Sequence, residues 1–101
     1  MIEIDTLKEL FLSNKVHLID IREKDEWDQE HIAGAIHVPL SSLTHIDTFH
    51  VIPKDLPIYL YCSSGRRTNV ARALLSPFID NIHIAGSGAM QELKNHGFPV
   101  T

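Results

Sequence analysis

The chain has 101 residues, of which 44% are apolar and 22% charged. That balance supports one folded domain with a single core and excludes a disordered or collagenous chain. A formal net charge of −4 excludes general nucleic-acid binding, which draws on a basic excess or a basic face.

A single cysteine excludes an internal disulfide and an internal resolving thiol. No apolar run approaches the roughly 20 residues that cross a bilayer, and Glu3 and Asp5 break the basic-then-apolar pattern of a signal peptide. The expectation is one domain over residues 1–101, cytoplasmic, with neither membrane nor nucleic acid as a partner.

Ile2 to Ile4 alternates, and Thr6 to Glu9 has the residue types of a capping box, so a helix is expected from Thr6 with Leu7, Leu10 and Phe11 on its apolar face. Val16 to Ile21 is nearly continuous in apolar residues and rich in β-branched ones, the signature of a parallel strand buried on both faces. Glu23 to Glu30 reads as a short acidic surface helix that turns Trp27 inward. Ala35 to Val38 is a candidate strand stopped by Pro39, and Ser41 and Ser42 are placed to cap a further turn or two of helix.

After the loop Pro53 to Pro57, Ile58 to Tyr61 is the best-defined strand of the second half. Val70, Ala71, Leu74 and Leu75 form a helical apolar stripe ahead of Pro77. Asn81 to Ala85 offers a last strand, Gly86 and Gly88 a turn, and Met90 and Leu93 the inner face of a helix ending at Gly97. Alternating strands and helices predict an α/β domain with a mostly parallel central sheet covered on both faces. In such sheets ligands bind beyond the carboxyl ends of the strands, where Cys62 falls.

Cys62 ends the Ile58 strand and opens the loop Ser63, Ser64, Gly65, Arg66, Arg67, Thr68. A lone cysteine is ordinarily a small buried hydrophobe. Here a glycine that tolerates a tight backbone path, two arginines and a following helix all favour a thiolate. Inward-turned amides from Ser63 to Thr68 would form an anion nest, with the Ser63 and Ser64 hydroxyls as added donors. Arg67, with Arg66, would hold the oxyanion end of a small anionic donor, while Arg72 completes the basic cluster. Seven histidines show no metal-ligand spacing, so no metal is expected, and thiol chemistry needs no organic cofactor.

Two separated motifs resemble the rhodanese family. One runs from Leu18 Ile19 Asp20 Ile21 Arg22 through Glu26 Trp27 to His31 Ile32 Ala33 Gly34 Ala35 Ile36 His37 Val38 Pro39, and the other is Cys62 Ser63 Ser64 Gly65 Arg66 Arg67, with Gly97 to Val100 a weaker third. The resemblance implies a rhodanese-like fold on a five-stranded, mostly parallel sheet. It also implies sulfur transfer through a persulfide on Cys62, from an anionic donor such as thiosulfate to cyanide, a thiol or a protein acceptor.

Under the same resemblance Asp20 and Arg22 are scaffold residues at a strand end, Trp27 is packing, and Glu26 and His31 hold the turn leading to Gly34. Glu30 replaces a common glycine, and Leu93 a common aromatic. Four residues separate Cys62 from Arg67, as in sulfurtransferase members, whereas the related phosphatases carry one more. A partner-dependent sulfur relay or regulatory module is the alternative reading, and a cysteine phosphatase or arsenate reductase a more distant one.

Overall fold

The computed structural model describes residues 2–44 and 50–101. His45, one of the seven histidines weighed for metal binding, lies outside them. Helix α1 (Ile4–Leu12) leads into strand β1 (His17–Asp20), and α2 (Lys24–Gln29) into β2 (Ile36–His37). A 3₁₀ turn over Leu40–Thr44 follows, then β3 (Ile58–Cys62), α3 (Arg66–Leu75), β4 (Ile82–Ala89) and α4 (Met90–Asn95).

The strands form one parallel sheet in the order β2-β1-β3-β4, so the two strongest apolar runs of the sequence become its centre. Four strands rather than five are found among the described residues. An antiparallel bridge, Ile32 to Val100, lies outside this sheet and ties the segment after α2 to the C-terminal residues.

Strand alternation divides the core in two. Ile19 and Ile21 of the β1 segment and Ile58, Leu60 and Cys62 of β3 face Ala71 and Leu75 of α3. Leu18 and Tyr61 face Leu7 and Phe11 of α1 and Met90 and Leu93 of α4. Helices therefore cover both faces, as the strand and helix rhythm predicts.

Several local expectations are corrected by tertiary packing. Helix α1 begins a turn before Thr6, with Glu3 as its N-cap and the Leu7 amide donating to the Glu3 carbonyl at 2.9 Å. Ile4 joins Leu7 and Phe11 on one buried face, and that burial outweighs the Thr6 to Glu9 capping signal. Ser41 and Ser42 sit in the 3₁₀ turn rather than at the start of an α-helix. The α3 stripe is rotated: Thr68, Ala71 and Leu75 are buried, whereas Val70 and Leu74 are exposed.

Strand β4 does not stop at Ala85 but continues through Gly86 and Gly88, whose positive φ angles of 57° and 82° let a bulge carry Ala89 into register with Cys62. Trp27 is only half-buried. It stacks on His31 at 3.4 Å and on His37 at 4.7 Å between ring centroids, so its packing partners are imidazoles rather than the core.

Candidate active site

Cys62 is the last residue of a central parallel strand, and its side chain is fully buried. The chain turns sharply through Ser63 and Ser64 to Gly65, the N-cap of α3 at φ 92°. This turn brings the Gly65 amide back to donate to the Cys62 sulfur at 3.1 Å. Thr68, one turn into α3, donates its hydroxyl to the Gly65 carbonyl and fixes the other side of the same residue. The turn is conformationally demanding, because L side chains rarely adopt this φ. It is also tight: a Cβ on Gly65 would stand 2.3 Å from the Ser87 carbonyl oxygen.

The two arginines differ in their commitments. Arg66 is exposed at the first position of α3. Arg67 is half-buried and forms a two-pronged ion pair with Glu26 of α2, Nη1 to Oε1 at 2.6 Å and Nη2 to Oε2 at 2.9 Å. Ser63 spends its hydroxyl on the same carboxylate, donating to Oε2 at 2.8 Å, and Ser64 is exposed. Arg72 is not in this loop group. It lines a groove of about 470 Å³ along β4 with Tyr59, Asn69, His83 and Ser87.

Glu26, which the sequence places in the acidic helix and in the turn leading to Gly34, is the residue that couples α2 to the loop. Its Oε1 also accepts the Glu23 amide at 3.1 Å, so four donors converge on one carboxylate. The Arg67 hydrogen bonds above all, with those from Ser63 and the Glu23 amide, push its pKa down to about 2. Reciprocally, Glu26 first, and the nearby Cys62 sulfur to a lesser degree, hold Arg67 above its ordinary value. One available signal was that Glu26 stands three residues after Glu23, the reciprocal position of a capping box.

Behind the loop lies a buried polar frame. Asp20, at the end of β1, accepts the Arg22 amide at 2.8 Å and a forked pair of bonds from the Arg22 guanidinium, and Arg22 also donates to the Glu30 carbonyl. Tyr61, next to Cys62, accepts the Ile32 amide at 3.0 Å. Burial, then its hydrogen bond with Asp20, pushes its hydroxyl pKa upward. The Glu30 carboxylate pairs with Lys94 of α4 at 2.6 Å, which gives the unusual residue at that position a partner. Among the described residues, no group of three or more His, Cys, Asp or Glu side chains is placed to hold a metal ion.

A buried cysteine at a parallel strand end, a glycine-pinned loop and a helix beginning in that loop define the class of protein, and the comparisons agree. The rhodanese-like domain model matches residues 3–96, and the chain belongs to that family. It is 30% identical over 77 residues to the thiosulfate sulfurtransferase PspE of Escherichia coli, an alignment covering 76% of this chain and 73% of PspE. It is 36% identical over 74 residues to the probable adenylyltransferase/sulfurtransferase MoeZ of Mycobacterium tuberculosis, covering 71% of this chain but 19% of that longer protein. Among solved structures, a rhodanese-related protein of Thermoplasma volcanium superposes with a TM-score of 0.80 at 27% identity, over 99% of this chain and 95% of the other.

Proposed function

We propose that this chain is a single-domain sulfurtransferase that carries sulfane sulfur on Cys62 from an anionic donor such as thiosulfate to cyanide or a thiol. The observation that carries the reading is the Gly65 amide on the Cys62 sulfur, at the head of α3 and beside the Arg67 guanidinium. An N–H dipole, a helix N-terminus and a positive charge at one sulfur all stabilise its anion. The same groups suit the anion on the outer sulfur of a persulfide. PspE, named for thiosulfate, supports the choice of donor.

In the first half-reaction the Cys62 thiolate attacks the outer sulfur of thiosulfate, the donor S–S bond breaks, and sulfite leaves with the electron pair. In the second, cyanide or a thiolate attacks the outer sulfur of the Cys62 persulfide and restores the thiolate. No electrons enter or leave overall, so no redox cofactor is required. Exposed Arg66 and the amides of Ser63 to Thr68 receive the sulfonate end of the donor, while Gly65 and Thr68 fix the loop.

A reducing compartment such as the cytoplasm keeps the thiol available. Burial of Cys62, with no second cysteine to resolve it, also supports delivery to a partner protein as the second reading. Mass spectrometry after incubation with thiosulfate tests the proposal. The expected result is one added sulfur atom on the wild type and none on Cys62→Ser, with thiocyanate released on adding cyanide. Absence of the adduct with every sulfane donor overturns it.

A further inference from the structure

We infer that Glu26 is a specificity-determining residue: seated on Arg67, its carboxylate sets how strongly the loop takes oxyanion donors and biases it toward persulfides that lack a sulfonate. This rests on the sulfur-transfer reading and goes beyond it by assigning a discriminating role to a residue of another element.

The Arg67 guanidinium is the cation closest in role to the loop sulfur, yet both prongs of its fork are taken by Glu26 at 2.6 and 2.9 Å. Ser63, the first loop residue, gives its hydroxyl to the same carboxylate rather than to the interior of the loop. With its pKa pushed down to about 2, Glu26 stays ionised wherever the protein is folded near neutrality. An incoming sulfonate therefore meets a guanidinium already neutralised and a carboxylate that repels it. It must either displace Glu26 from four hydrogen-bond donors or bind through Arg66 and backbone amides alone.

A donor ending in a persulfide sulfur, even as its anion, presents one diffuse charge and no sulfonate oxygens that need the Arg67 fork, so it loses less to the Glu26 carboxylate. Its reaction has the same balance as that of thiosulfate: the Cys62 thiolate forms a new S–S bond to the outer sulfur, the donor S–S bond breaks, and the electron pair leaves on the donor thiolate instead of on sulfite. Glu26 also caps α2, so the carboxylate is held by its own helix and the discrimination does not depend on a mobile side chain.

The test is Glu26→Gln, which keeps the size and one acceptor oxygen while removing the charge. The ratio of kcat/KM for thiosulfate to that for glutathione persulfide is expected to rise about tenfold, through a lower thiosulfate KM, the scale for one unit charge removed from contact at a part-exposed site. A second arm needs no turnover: in a Cys62→Ser background, Glu26→Gln should tighten the Kd for inorganic sulfate about tenfold by calorimetry. An unchanged donor ratio, or equal sulfate affinity of Cys62→Ser with and without Glu26→Gln, overturns the role of Glu26. If wild type gains no sulfur from either donor the enzymatic reading falls, and the sulfate arm still decides whether Glu26 guards the anion site.

Discussion

The Ser87 carbonyl oxygen occupies the space beside Gly65 where any other residue would carry its Cβ, at 2.3 Å. The loop that holds Cys62 is thereby moulded against the bulge of β4, two segments more than 20 residues apart in the chain. Gly65→Ala meets both a disfavoured φ of 92° and a backbone collision. The expected outcome is a loss of about 2–3 kcal/mol of stability, the combined scale of backbone strain and forced overpacking, read by urea denaturation. Persulfide formation at Cys62 should be lost along with the Gly65 amide contact, even where the variant stays folded.

The Asp20 and Arg22 pair is buried on both sides, Asp20 fully. Removing one partner leaves the other as an uncompensated buried charge. Arg22→Leu should cost about 3–5 kcal/mol, and the double variant Asp20→Asn with Arg22→Leu should recover part of that loss. The measurement is the denaturation midpoint of the two variants against wild type.

Tyr61→Phe removes one oxygen and strands the Ile32 amide, which has the Tyr61 hydroxyl as its acceptor. A cost of about 1–3 kcal/mol is expected, the penalty for an unsatisfied buried donor. Hydrogen exchange at the Ile32 amide should accelerate more than exchange at the α3 amides.

Glu26 predicts a pH dependence with a definite sign. Its folded pKa of about 2 lies below the ordinary carboxylate value of 4.5, so the folded state binds this proton less readily than the unfolded state does. The Glu26 contribution is complete above pH 4.5 and is lost as pH falls toward 2. Acid unfolding followed by far-UV dichroism should show a shallower decline between those values for Glu26→Gln than for wild type.

The sheet was legible because its central strands, Val16 to Ile21 and Ile58 to Tyr61, are unbroken or nearly unbroken apolar runs that no helix period explains. Cys62 and its loop were legible because a glycine and arginines follow the cysteine at once. What was hidden depends on contacts between distant segments. Val70 and Leu74 look as apolar as Ala71 and Leu75, and only the packing of α3 on β3 and β4 selects Thr68 and Ala71 for the interior. Glu26 is one acidic residue among several in α2, and its value comes from Arg67, 41 positions later. The extension of β4 was masked by two glycines, which punctuate most sequences as turns and here permit a bulge.

The depth of Cys62 has a consequence for how cargo is displayed. An empty thiol in this position is shut away from solvent. A sulfur atom bonded to it would place the reactive end about 2 Å beyond the Cys62 sulfur, the length of one S–S bond. Loading would turn a concealed atom into a presented one, so an acceptor at the loop mouth would meet charged carriers and pass over empty ones. Charge state is then reported by reach rather than by any change in fold, and the larger members of a size-graded series of alkylating agents should label the loaded protein while sparing the unloaded one, whose thiol still admits small donors.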